Sequence, residues 1–116
     1  LSINTIAIMS NDVIQYPDDS FENMKLFAKN YDFLFPYLFD ESQEVAKQYG
    51  AVCTPDIFGF NNKNLLCYRG RIDSGVMNSD NKKIDRELYN AMVKIKNDGI
   101  GPDKQLNSFG CSIKWK

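Results

Sequence analysis

The chain has 116 residues, of which 43% are hydrophobic and 25% charged, so it fits one compact domain and excludes a disordered or collagen-like chain. Fourteen Lys and Arg against fifteen Asp and Glu leave a formal charge of −1, which gives no electrostatic footprint for nucleic acid or an anionic membrane. With no apolar run of about eighteen residues and no basic stretch ahead of an apolar one, neither a helical membrane span nor an intact signal peptide is expected. A soluble chain follows, with the cytoplasm as default compartment and the periplasm left open.

Taken in order, Ile3 to Met9 is apolar on both alternating faces apart from Asn4 and Thr5, the pattern of an interior strand covered on both sides. After the loop that holds Tyr16-Pro17, Ser20 can cap a helix whose Met24, Phe27, Ala28 and Tyr31 recur on one face. Phe33 to Phe39 is a second apolar run, and Pro36 inside it points to a strand start at a sheet edge. Asp40 then supplies a helix cap with Gln43 as its reciprocal partner, and Val45, Ala46 and Tyr49 form a short apolar face that Gly50 ends. Asp56 to Phe60 and Leu65 to Arg69, joined by Asn61-Asn62-Lys63-Asn64, read as an antiparallel hairpin. Ser74 to Lys82 is polar and irregular. Ile84, Leu88, Ala91, Met92 and Ile95 mark a last amphipathic helix, with Asp85 and Glu87 early, Lys94 and Lys96 late and Gly99 after it. The tail to Trp115 and Lys116 has no periodicity.

The absence of histidine removes Ser-His and Cys-His nucleophile pairs, histidine general acids and ordinary histidine metal sites together. Cys53, Cys67 and Cys111 form no CxxC and no zinc-ribbon spacing, and three thiols make no disulfide framework. No metal and no cofactor are expected. Cys67, inside Leu65-Leu66-Cys67-Tyr68, reads as a buried small hydrophobe. Cys53 lies just before Thr54-Pro55 and Cys111 follows Gly110, so these two thiols are the more available. Asp12, Asp18, Asp19, Asp40 and Glu41 fall in loops or caps, where solvated or capping roles suffice. Gly99-Ile100-Gly101-Pro102 follows a helix and does not open one, so it is a stop signal, not a phosphate loop. Tyr31, Phe33, Phe35, Tyr37 and Phe39 read as core and sheet cover; an exposed apolar face there would serve as a dimer interface.

Several separated segments occur in a familiar order: Ser10-Asn11-Asp12, Tyr16-Pro17-Asp18-Asp19-Ser20, Phe35-Pro36-Tyr37-Leu38-Phe39-Asp40-Glu41, Val45 to Ala51, Cys53-Thr54-Pro55-Asp56 and Tyr68-Arg69-Gly70-Arg71-Ile72-Asp73. Together they resemble the redoxin (alkyl hydroperoxide reductase/thiol-specific antioxidant) branch of the thioredoxin-fold superfamily. The tail Gly110-Cys111-Ser112-Ile113-Lys114-Trp115 is similar to the ending of one uncharacterised bacterial subgroup. Phe21, where Pro is common, and Ser74, where a second acid is common, depart from the pattern.

The resemblance implies an α/β fold, a thioredoxin-like three-layer sandwich with a mixed sheet, truncated at its N-terminus. Residues 1–98 would be the incomplete domain and 99–116 a C-terminal tail. It also implies a cis Thr54-Pro55 bond ahead of a core strand, with Cys53, Thr54 and Pro55 facing an extended thiol substrate. Family members carry their reactive cysteines on a first strand and helix, often as a CxxC at the helix N-terminus, where the dipole lowers a thiol pKa. Here the chain begins at Leu1 without them. The absent strand would lie between Ile3 to Met9 and Asp56 to Phe60, so the sheet must close, keep open edges or recruit a strand from another molecule. The activity implied is thiol-disulfide exchange or peroxide reduction, with a thiol or disulfide protein or a small thiol reductant as partner and this chain inactive by itself. Cys53 and Cys111 are candidate auxiliary or resolving thiols, and a homodimer could complete the sheet. The alternative is a non-catalytic thioredoxin-like module that binds or scaffolds.

Overall fold

Strand and helix alternate from the first element. The computed structural model describes residues 3–74 and 86–116. Its elements are β1 (Ala7–Met9), a 3-10 turn at Pro17–Asp19, α1 (Phe21–Asn30), β2 (Tyr37–Phe39), α2 (Glu44–Tyr49), β3 (Cys53–Thr54), β4 (Ile57–Phe60), β5 (Leu66–Gly70), α3 (Glu87–Asp98) and β6 (Cys111–Ser112). The chain is a small α/β protein in two compact units, Leu1–Val52 with Ser112–Lys116, and Cys53–Cys111.

In the first unit β1 and β2 run parallel, with Ala7 opposite Tyr37, Ile8 opposite Leu38 and Met9 opposite Phe39. The strand foreseen over Ile3 to Met9 forms only at its end, because β2 starts after Pro36 and offers residues 3–6 no neighbour. Cover on both faces is also not found: Ile6 is 60% and Ile8 43% exposed. α1 begins where expected, its Ser20 hydroxyl accepting from the Asn23 N–H at 3.2 Å. Of its foreseen core face only Met24 is buried, while Phe27 and Tyr31 are exposed. These two instead join a chain of rings, Phe27 to Tyr31 at 4.6 Å, Phe27 to Phe33 at 5.5 Å and Phe33 to Phe35 at 4.7 Å. The aromatic patch is thus partly surface and not the closed core that its composition suggested. α2 ends at Gly50 in the left-handed region, as its sequence required.

In the second unit β4 and β5 form the antiparallel hairpin, with a bulge between Gly59 and Phe60. The turn is held by Asn61, whose side-chain oxygen accepts from the N–H groups of Lys63 at 2.9 Å and Leu65 at 3.0 Å, while Asn64 takes φ 60°. α3 packs on the hairpin through Ala91 and Ile95 against Tyr68, with Ile57, Leu88 and Met92 around them. Gly59 lets the flexible Met92 side chain lie close over the strand, where a Cβ would stand 2.7 Å from its Sδ and 3.3 Å from Tyr68 Cβ. Arg71 holds Glu87 at the start of α3 with two bonds of 2.5 and 2.6 Å, a bidentate pair. Gly99 ends α3 with φ 74°. Ile84 and Asp85, expected in this helix, and most of the irregular stretch from Ser74 to Lys82 lie outside the described residues. The outer edge of β5 is closed by the Gln105 carboxamide, which donates to Cys67 O at 2.9 Å and accepts from Arg69 N–H at 2.9 Å. That side chain stands in for one peptide of a neighbouring strand.

Candidate functional site

The entry to β4 gathers the residues singled out from sequence. Thr54–Pro55 is a cis peptide bond, as the resemblance implied. Thr54 and Pro55 are exposed, and the Thr54 hydroxyl donates to the Cys111 carbonyl at 3.4 Å. Gly110 comes so close to this loop that a Cβ would stand 2.1 Å from Thr54 O, which explains why only glycine fits. Cys53, Thr54, Pro55 and Cys111 therefore do come together at one surface of the second unit.

Their environments differ. Cys53 is half-buried, with its thiol 3.9 Å from Pro55 O. Burial pushes that thiol pKa up, the Asp56 carboxylate adds to the rise, and the Arg69 guanidinium only partly opposes it. Cys53 is consequently held as the neutral thiol, a weak nucleophile. Cys111 is exposed. Asp56 itself is well held, accepting from Arg69 Nη2 at 3.2 Å and lying 2.9 Å from Ser108 Oγ, whose single proton is shared between Asp56 and Gly70 O at 2.6 Å. These bonds fix the loop that follows Pro55 against β5 and the residue 108 region. Cys67, expected to be buried, is half-buried, and its single S–H has the carbonyls of Leu65 at 3.3 Å and Gly99 at 3.6 Å within reach as acceptors.

The first unit holds a second polar cluster that sequence reasoning found only in part. Asp40 is 7% exposed and caps α2, its carboxylate accepting from the N–H groups of Ala46 at 3.0 Å and Val45 at 3.3 Å and from the Ser10 hydroxyl at 2.8 Å. Burial acts to raise its pKa, but the bonds from Ala46, Ser10, Val45 and the Gln43 N–H outweigh it and hold the carboxyl below its ordinary value. Gln43 does not reach back to the cap as a capping box would. It is 2% exposed, takes φ 65°, and donates to Ser10 O at 2.8 Å and Lys114 O at 2.9 Å while accepting from Lys116 N–H at 3.1 Å. One buried amide thus clasps the end of β1 to the C-terminal residues, and Asp12 N–H adds a bond to Lys114 O at 2.7 Å. Its partners are distant in sequence, so only the Gln type at a cap-like position was visible beforehand.

Beside this cluster lies an open depression of about 560 Å³, lined by Ile8, Leu38, Phe39, Asp40, Val45 and Lys116 among others. Of its two carboxylates, Asp40 and Glu41, that of Asp40 is already committed to capping α2. Among the described residues no group of three or more His, Cys, Asp or Glu is placed to hold a metal ion, and no helix is long and apolar enough to cross a membrane.

No protein-family model and no curated protein matches the chain. Among solved structures it is similar to an uncharacterized conserved protein from Geobacillus kaustophilus, 46% identical over 97% of this chain and 60% of that one, with a TM-score of 0.86. It is also similar to a hypothetical protein from Sinorhizobium meliloti, 37% identical over 97% of this chain and 62% of that one, again with a TM-score of 0.86. The chain spans about three fifths of the length of these two proteins, and its fold is shared with that portion of each.

Proposed function

We propose that the chain is part of a thioredoxin-like domain of redoxin type, whose Cys53-Thr54-Pro55 loop docks an extended thiol or disulfide substrate while the principal reacting cysteines lie outside these 116 residues. The observation that carries this reading is the meeting of the exposed Thr54–Pro55 segment with Cys111 at the entry to β4. The order of a parallel β1-α1-β2 unit, then α2, then an antiparallel β4-β5 hairpin packed by α3 agrees with the same fold. In this role the exposed Thr54–Pro55 segment lies against a substrate strand, and Cys111 is the thiol that can exchange. The neutral Cys53 thiol serves packing and loop shape.

A second reading, a non-catalytic thioredoxin-like binding module, is favoured by that raised Cys53 pKa and by the lack of a nucleophile pair. Oxidised glutathione tests both. The Cys111 thiolate would attack the disulfide, forming a mixed disulfide and releasing one reduced glutathione, which takes up a proton. Mass mapping over time is expected to show modification at Cys111 well ahead of Cys53. Faster reaction at Cys53 would make it the attacking thiol and overturn the role given to it, and no reaction at either would leave only the binding module.

A further inference from the structure

Cys53 and Cys111 lie on neighbouring segments, and the register of those segments decides whether the two thiols can serve one another. β3 and β6 are hydrogen-bonded to each other. Ile113 N–H donates to Val52 O at 3.1 Å, and two residues along each segment the Thr54 hydroxyl meets the Cys111 carbonyl. Residue numbers rise on one side as they fall on the other, so the pairing is antiparallel, with Thr54 opposite Cys111. Side chains alternate between faces along a strand. Cys111 therefore shares a face with Thr54, and Cys53, one residue before Thr54, projects to the other face.

This register has no freedom to slip. A Cβ on Gly110 would stand 2.1 Å from Thr54 O. A shift by one residue, the smallest that brings the two thiols to one face, would set Phe109 or Cys111 against that oxygen, and each carries a Cβ. A disulfide needs Cβ atoms about 3.5–4.5 Å apart and directed at each other, so side chains on opposite faces are not bridged without moving the backbone. Cys67 offers no substitute, because its S–H lies beside the Leu65 and Gly99 carbonyls at the turn end of the β4-β5 hairpin, away from Ile57 and Gly70.

We propose that Cys111 works as a single thiol: Cys53 does not resolve a mixed disulfide formed there, and a thiolate from outside these 116 residues must. This rests on the reading that Cys111 exchanges. Attack of the Cys111 thiolate on a substrate disulfide bonds Cys111 to one substrate sulfur and releases the other as a thiolate, which takes up a proton. An incoming thiolate then attacks the substrate sulfur of the mixed disulfide, forms a new disulfide with it and returns Cys111 as a thiolate. The chain supplies the first step of the exchange, and a thiol reductant consumes its product.

The full 116-residue chain is treated with oxidised glutathione and, separately, with diamide, which joins neighbouring thiols; intact mass and peptide mapping read the products. After excess reagent is removed, glutathione is expected to stay on Cys111 until reduced glutathione is added, and to stay equally long in Cys53→Ser. Diamide is expected to form no Cys53–Cys111 bond in the native chain and to form it readily in urea, where the register is gone. A Cys53–Cys111 disulfide in the native chain, under either reagent, would overturn the proposal. So would a longer-lived adduct in Cys53→Ser, since Cys53 would then be the resolving thiol. Should oxidised glutathione leave Cys111 unmodified, the exchange reading would fall by itself, and the diamide arm would still decide whether the two thiols meet.

Discussion

Asp40 shows how one side chain can join local and distant structure. Its carboxylate caps α2 and accepts from Ser10, thirty positions away. Because its pKa in the folded chain lies below the ordinary value, ionised Asp40 contributes stability in full above about pH 4, and the contribution is lost as pH falls through the folded pKa. Asp40→Asn is expected to lower unfolding stability by about 1–2 kcal/mol at neutral pH, the scale of a lost cap and charge-assisted bond. Urea titrations of both proteins from neutral to acid pH should show the gap narrowing on the acid side, and parallel curves would contradict this role. The cap was legible in the sequence because it acts on the helix that follows it. The clasp made by Gln43 was not, since its partners stand 33 and 71 positions away and nothing local marks them.

Among the elements, those set by short-range chemistry were legible and those set by neighbours were not. Ser20 starts α1, Gly50 and Gly99 end α2 and α3, and the Asn-rich turn builds the β4-β5 hairpin, each through bonds within a few residues. β1 fell short of its composition because a strand needs a partner for each residue, and β2 supplies only Tyr37–Phe39. β6 was missed altogether: it carries no alternation, and it exists because Gly110 lets the chain lie against Thr54. Gly110→Ala tests that contact. The added methyl would overlap a backbone oxygen, a cost of about 1–3 kcal/mol for overpacking, so amide exchange at Cys111 should quicken by roughly tenfold or more. Unchanged exchange would mean that the close approach is not what seats this segment.

Across the whole molecule, the candidate site was found from sequence through the Thr54-Pro55 motif and its resemblance, whereas the approach of Cys111 from the other end of the chain required the fold. The same fold recurs in two proteins of which this chain covers 60% and 62%, both uncharacterized, so function rests on the site itself. The central claim is that Cys53, Thr54, Gly110 and Cys111 form a surface that receives an extended thiol compound. Titrating the isotope-labelled chain with reduced glutathione and following backbone amide resonances tests it most directly. Saturable shifts confined to Cys53, Thr54, Gly110, Cys111 and their immediate neighbours are the expected result, while shifts centred elsewhere, or none, would contradict it.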